Sequence, residues 1–265
     1  MKSLKISAMV LAGIMAVAFI RGNAAAGETR VYVKPGYFTW NEKIDGNDFV
    51  NEKGLITSVG VTHSHSIAAV FNLRETFEVW GGSVDYDGHD VTNTRPIHTD
   101  TIYLGTRTEL DAAFDLPMAG GLTVAPLAGA GHKFWIRTRS SEDWNMLYGR
   151  LGGSAKLDTA TATFSVKAGV TVPFYTRNHV NLNASGFDDV VTRPKGRPAP
   201  FAEAGVESGS WSISLGYEAL KFDRSRPVRV NPITPQQSGV AVVDTAAFQP
   251  ESESHLVSVK IDYRF

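Results

Sequence analysis

The chain of 265 residues carries 27 acidic against 26 basic side chains, a formal net charge of −1, and 43% of it is hydrophobic. A balance this close to neutral argues against a nucleic-acid partner. With no cysteine in the chain, a disulfide framework, a thiolate metal site and a cysteine nucleophile are all excluded.

Lys2 and Lys5 form a short basic segment ahead of the largely apolar run Ile6 to Ile20, and Arg21-Gly22-Asn23 then leads to Ala24-Ala25-Ala26. Basic start, short apolar stretch and small-residue cleavage site are the layout of a secretory signal peptide, so residues 1–26 are expected to be removed after Ala26. The remaining residues 27–265 read as one domain. They contain no apolar run long enough to cross a bilayer as a helix, which needs about 20 residues. A chain that crosses without helices must close its strands into a barrel, where pairing satisfies every backbone group.

Period-two alternation predicts about ten strands, or eight if the sixth and eighth segments are not strands. The first runs from Val31 to about Trp40, with aromatics on both faces, and a polar loop from Asn41 to Lys53 is expected after it. Leu55 to Thr62 is the second, ending in a tight turn near Ser64 to Ile67. In the third, Phe71, Leu73, Phe77 and Val79 share one face, and Glu75 breaks the rule by falling on it. The fourth is the clearest: Ile102, Leu104, Thr106, Thr108, Leu110, Ala112, Phe114 and Leu116 alternate with Tyr103, Gly105, Arg107, Glu109, Asp111, Ala113 and Asp115. The fifth follows Pro117 to Gly121, with Leu127 and His132 as its exceptions. A loop from Ser140 to Trp144 precedes a glycine-rich sixth strand carrying Arg150 and Lys156. The seventh sets Phe164, Val166, Ala168, Val170, Val172 and Phe174 against Ser165, Lys167, Gly169 and Thr171. A long loop, Asn178 to Pro198, leads to a short eighth strand, Phe201 to Glu207. The ninth starts at Trp211, and a loop from about Asp223 to Ser252 is the longest.

The terminal strand, Val257 to Phe265, has Val, Val, Ile, Tyr and Phe at odd positions and Ser, Lys, Asp and Arg at even ones. One face is apolar and the other polar throughout. In a membrane barrel the apolar face meets lipid and the charged face lines the lumen. Connections that mostly alternate short and long fit periplasmic turns and extracellular loops. Trp40, Trp80, Trp135 and Trp144 near the extracellular ends, with Trp211 at the other, are expected to form the interfacial aromatic girdles.

This organisation resembles small bacterial outer-membrane β-barrels, the OmpA-type and porin-like barrels as a class, over essentially the whole of residues 27–265. The resemblance implies an all-β, antiparallel up-and-down transmembrane barrel in the outer membrane of a Gram-negative cell. Its implied partners are membrane lipid, lipopolysaccharide and the barrel assembly machinery, which would read Tyr263 and Phe265. It implies no cofactor.

The residues expected to line the lumen are Arg74, Glu78, Arg107, Glu109, Lys133, Arg137, Arg150, Lys167, Glu218 and Lys260, joined by Asp111, Glu203 and Asp262. Such mixed charge forms either an internal salt-bridge network that plugs the barrel or a narrow polar channel. The sharpest local cluster is Gly81 to Asp90, with Asp85, Asp87, His89 and Asp90. It resembles in part the Asp-x-Asp pair near the rim of omptins, ten-stranded outer-membrane proteases, with Asp85 and Asp87 at the matching positions. The resemblance would make the chain a rim hydrolase, but the Asp-x-His element that omptins also need is missing around His179 and Asp188-Asp189. No metal site is assigned. His63 and His65 share one strand face without a third ligand. If residues 1–26 are a signal peptide, N-terminal sequencing of the purified protein will read from Gly27, and a retained Met1 would refute the assignment.

Overall fold

The computed structural model describes residues 27–89, 95–233 and 246–265. Residues 1–26, 90–94 and 234–245 lie outside these, and with them Asp90 of the acidic cluster. Ten long strands make the wall: β1 (Glu28–Ile44), β2 (Asn47–Ala68), β3 (Phe71–His89), β4 (Pro96–Phe114), β5 (Leu122–Arg137), β6 (Glu142–Asp158), β7 (Thr163–Val180), β8 (Ala199–Ser208), β9 (Trp211–Phe222) and β10 (Glu251–Arg264). Each pairs antiparallel with its sequence neighbours, and β1 pairs with β10 from Arg30↔Arg264 to Lys43↔Glu251, closing the sheet into a barrel without edges.

One end is closed by the turns 69–70, 115–121, 159–162 and 209–210; the other carries the longer connections 181–198 and 223–250. Short turns mark the periplasmic end of such barrels and long loops the extracellular end. The outer surface is inverted relative to a water-soluble protein. Leu55, Phe174 and Trp211 are 69%, 67% and 60% exposed, and they belong to an apolar band running around every strand in the periplasmic half. On β4 the even positions Ile102, Leu104, Leu110 and Phe114 point out, whereas the odd positions Tyr103, Gly105 and Asp111 are buried inside. At the short-turn end Trp211, Tyr263 and Phe265 stack edge to face on the outside, with centroids 4.9 and 5.2 Å apart. They form an aromatic cluster at the lipid boundary.

The strands are longer than a membrane requires. About 9–11 residues cross a bilayer as a strand, yet β2 has 22 and β3 and β4 have 19 each. The excess rises beyond the band as an extracellular wall whose outward positions are polar: Lys43, Asn51, Lys53, Asp85, Asp87, His98 and Asp100. Here the structure corrects the expected polar loop from Asn41 to Lys53. Those residues are strand, reversed by Asp45-Gly46, which both adopt positive φ (52° and 82°), the requirement of a two-residue hairpin turn that an Asp-Gly pair meets. The expected turn at Ser64 to Ile67 is also strand; the reversal falls at Ala69–Val70. Likewise Glu142 to Trp144 and Asn178 to Val180 belong to strands and not to loops.

Leu110 lies outward and 47% exposed within the band. Leu110→Arg will therefore cost roughly 2–4 kcal/mol if it sits near the bilayer midplane, less toward either interface, measurable by reversible denaturant unfolding in lipid vesicles. A variant as stable as the parent would move this face out of contact with lipid.

Candidate functional site

Charged side chains converge in the lumen, and it is filled in tiers. The uppermost, level with the extracellular wall, is built on Arg137 at the end of β5. Its Nη1 donates to Glu42 Oε1 at 2.7 Å and to Glu142 Oε2 at 2.8 Å, and its Nη2 donates to Glu52 Oε1 at 2.9 Å. Each of the three carboxylates also accepts from an aromatic side chain. Trp40 Nε1 donates to Glu42 and Trp144 Nε1 to Glu142, both at 2.8 Å, and the Tyr103 hydroxyl donates to Glu52. The guanidinium lies over the Trp40 ring, 4.9 Å from its centroid. Trp135 and Trp144 stack at 5.2 Å, Trp40 meets Trp144 edge-on at 5.4 Å, and Phe222 closes on Trp144 at 5.2 Å. Arg137, Trp40, Trp144 and Glu52 are each 1% exposed or less. From above, the 223–250 connection contributes Gln249, whose Nε2 donates to Glu42 at 3.0 Å, while Asn178 donates to Gln249 Oε1 at 2.7 Å.

Trp40, Trp80, Trp135 and Trp144 thus turn inward and form a plug, which corrects the expected extracellular girdle. The reason is parity. Trp135 stands between Lys133 and Arg137 on the same strand face, and Trp40 shares its face with Lys34 and Glu42. Room for the rings comes from glycines on neighbouring strands: a β-carbon at Gly105 would lie 2.5 Å from Trp80, and one at Gly131 would lie 2.5 Å from Tyr148.

The middle tier is a chain of ion pairs. Lys34 and Arg107 meet Glu78 at 2.6 and 3.0 Å; Arg107 and Lys133 meet Glu218 at 2.8 and 2.9 Å. Arg150 bridges Glu109 at 2.9 Å and Asp111 at 3.1 Å, and Lys260 pairs with Glu203 at 2.8 Å. Tyr32 and Tyr148 donate to Glu78 and Glu109, each at 2.8 Å. Arg74 and Lys167 face the same interior space. At the short-turn end, Arg30 and Arg264 bind Glu207 at 2.7 and 3.0 Å. Between this rim and the middle tier the inward positions are small, among them Ser64, Ser154, Ser165 and Ser212, and all are half-buried. The interior side chains are therefore most completely buried toward the extracellular side and less so toward the periplasmic side.

The acidic cluster on β3 is arranged differently. Asp85 and Asp87 point outward, away from the lumen, opposite Asp100 and His98 of β4, and His98 Nδ1 lies 3.0 Å from Asp87. His179 does find carboxylates, Asp143 at 2.6 Å and Asp189 at 3.3 Å, but on the outer face of β7, four strands around the wall. Among the described residues the two clusters lie on separate parts of the outer wall. His63 and His65 face outward near the short-turn end, where His63 bonds Thr29 and stands opposite Glu75. Among the described residues no group of three His, Asp or Glu is placed to hold a metal ion. Glu42, Glu52 and Glu142, the partners of Arg137, were hidden in stretches read as loops. Their signal was the alternation Phe38-Trp40-Glu42 and Val50-Glu52, which continues the inward face of β1 and β2.

A closed ten-stranded antiparallel barrel with an outward apolar belt and a charged, filled interior defines an outer-membrane β-barrel protein. Solved structures with the same fold include the outer membrane protease OmpT from Escherichia coli, 7% identical, with a TM-score of 0.54 over 90% of this chain and 96% of that one. An outer-membrane channel from Pseudomonas putida F1 is 9% identical, with a TM-score of 0.42 over 92% of this chain and 98% of that one. No protein-family model matches the chain, and no curated protein matches it.

Replacing Arg137 by Met removes one charge and strands three buried carboxylates. A loss of about 3–5 kcal/mol is expected for such an orphaned buried partner. Glu203→Gln, in the more open half of the lumen, will cost less because water can reach Lys260. Parallel denaturant titrations of the two variants test this, and equal losses would mean the two halves are equally dry.

Proposed function

We propose that the protein is a plugged outer-membrane barrel: a structural scaffold that carries an extracellular wall and its two long loops, and not an open diffusion pore. The observation that carries this reading is the upper tier of the lumen. A channel for small solutes needs a continuous wet path. Here the stacked Trp40, Trp135, Trp144 and Phe222, with Arg137 and its three carboxylates, occupy the bore. A ten-stranded barrel is only slightly wider than the eight-stranded ones that side chains fill completely, so few large rings suffice to block it. The loops above reinforce the block, with Asp188 N bonded to Asn231 O and Ile233 N to Gly186 O, each at 2.9 Å, tying the two longest connections together.

Resemblance to a protease in fold supports no proteolysis here. At 7% identity it speaks for the fold alone, and Asp85 and Asp87 face the surroundings and not a cleft. Delivery to the membrane would follow from cleavage after Ala26 and from recognition of Tyr263 and Phe265 by the assembly machinery. The outward Lys43 and Lys53 on the extracellular wall suit contact with lipopolysaccharide phosphates.

Planar-bilayer recording with the purified, refolded protein is the direct test. The expected result is no steady conductance from the parent and small openings from Trp40→Ala/Trp144→Ala, which removes two rings from the plug. Steady openings from the parent that change with Lys133→Ala would instead establish a channel.

A further inference from the structure

The lumen holds an irregular cavity of about 80 Å³ at the level of the ion-pair tier. Six basic side chains and four carboxylates line it. Most of the bases are taken. Glu78 engages Lys34 and Arg107, Glu109 and Asp111 engage Arg150, and Lys260 binds Glu203 with Asp262 a further 3.8 Å away. Two are not. Arg74 and Lys167 both border the cavity and hold no direct ion pair among the described residues; the carboxylate acting on both is Glu203, which is already bound to Lys260. The charged neighbours of Lys167 include two arginines, Arg74 and Arg150, as well as Glu203 and Asp111. Arg107 Nε is a third buried donor without a hydrogen-bond partner, and Asp111 Oδ1 is a buried acceptor without one.

Two cations held near one another in a narrow, partly desolvated lumen repel, and burial of an unpaired charge is costly unless a counter-charge is supplied. The wall offsets this only in part, because Glu203, the carboxylate that acts on both cations, already binds Lys260, and Asp111 already binds Arg150. Water reaches the periplasmic half of the lumen through the small residues near the rim, and so can a solute. We infer that the cavity is a binding site for a small oxyanion, a phosphate or carboxylate group gripped between Arg74 and Lys167. Arginine and lysine are the side chains that recognise such groups by charge-assisted hydrogen bonds. The space admits several waters or one small oxyanion, and the plug above would make the site a dead-end pocket entered from the periplasmic side. The site does not depend on the scaffold reading, since an open bore would leave the same two cations facing the same cavity.

Isothermal titration of the refolded full-length barrel with inorganic phosphate, and separately with acetate, tests this at an ionic strength held constant with chloride. Saturable binding of one anion per barrel is expected. Tighter binding of phosphate would assign a phosphate ester, and tighter binding of acetate a carboxylate. Arg74→Gln and Lys167→Gln should each weaken binding by about tenfold or more, the loss of one charge-assisted hydrogen bond. Lys53→Gln, outward on the extracellular wall and away from the lumen, should leave the affinity unchanged. Heat-modifiable gel mobility checks that each variant is folded. If the cavity variants fail to fold, the parent alone decides, because the bound anion must raise its unfolding temperature above that in chloride. Absence of saturable heat with both anions, unchanged affinity in the Arg74→Gln/Lys167→Gln double variant, or no rise in unfolding temperature would overturn the site.

Discussion

The structure depends on a single guanidinium that satisfies three carboxylates inside a closed wall. Around Arg137 the pairwise attractions to Glu42, Glu52 and Glu142 compete with repulsion among the carboxylates themselves, and the cluster retains excess negative charge. What tips the balance is that every carboxylate has a second donor, an indole or phenol from Trp40, Trp144 or Tyr103. Those donors are the same rings that fill the bore. Charge satisfaction and packing are therefore one arrangement: the rings cannot move without exposing a buried carboxylate, and the carboxylates cannot ionise without the rings. Buried ion pairs contribute little net stability against an apolar filling but specify one arrangement strongly. In a bore this narrow, the ion pairs fix which rings stack where.

The lower half follows a different logic. There the inward positions are serine, glycine or alanine interspersed with charges, so the ion pairs of Arg150, Lys260 and Glu203 stand in a partly hydrated space. The same polar face of the wall thus changes character along its length, from packed and dry to open and wet, with Lys133 and Glu218 near the crossover. Outside, the change runs in parallel. The apolar belt surrounds the wet half, and the polar wall surrounds the dry half. The densest packing in the molecule therefore lies beyond the membrane and not within it.

Much of this was legible in the residues. The alternation of β4 and β10 identifies both faces, and Arg107, Glu109, Lys133, Arg150, Lys167, Glu218 and Lys260 all lie on the inward parity the pattern assigns. What escaped was the length of the strands. A template of about ten residues per crossing stops β1 at Trp40 and starts β2 at Leu55, and so discards Glu42 and Glu52 as loop. The period-two pattern runs straight through both, with Asp45-Gly46 marking the reversal. The tryptophans follow the same rule: a large aromatic near a membrane edge suggests a girdle, but its strand parity decides whether it faces lipid or lumen. Pairings such as Lys34 with Glu78 or Arg107 with Glu218 were not readable at all. They join strands distant in sequence, and their choice among many candidates rests on the stagger of the closed sheet.

The β1–β10 seam carries a consequence for how the chain reaches this state. Its residues are joined last in any order that builds the sheet by successive hairpins, and until they meet the wall is an open ribbon. Such a ribbon would present Glu78, Arg107, Glu109, Arg150 and Glu203 to hydrocarbon on one side while its apolar face already lay in it. Partial insertion would thus expose several unpaired charges, each costly at the bilayer centre. The pairs that relieve this cost draw on both sides of the seam, with Lys34 and Tyr32 from β1 and Lys260 from β10. Entry into the membrane and closure of the ring are accordingly coupled into one cooperative event, and the charges that plug the finished barrel act beforehand as a barrier against lodging it half-made.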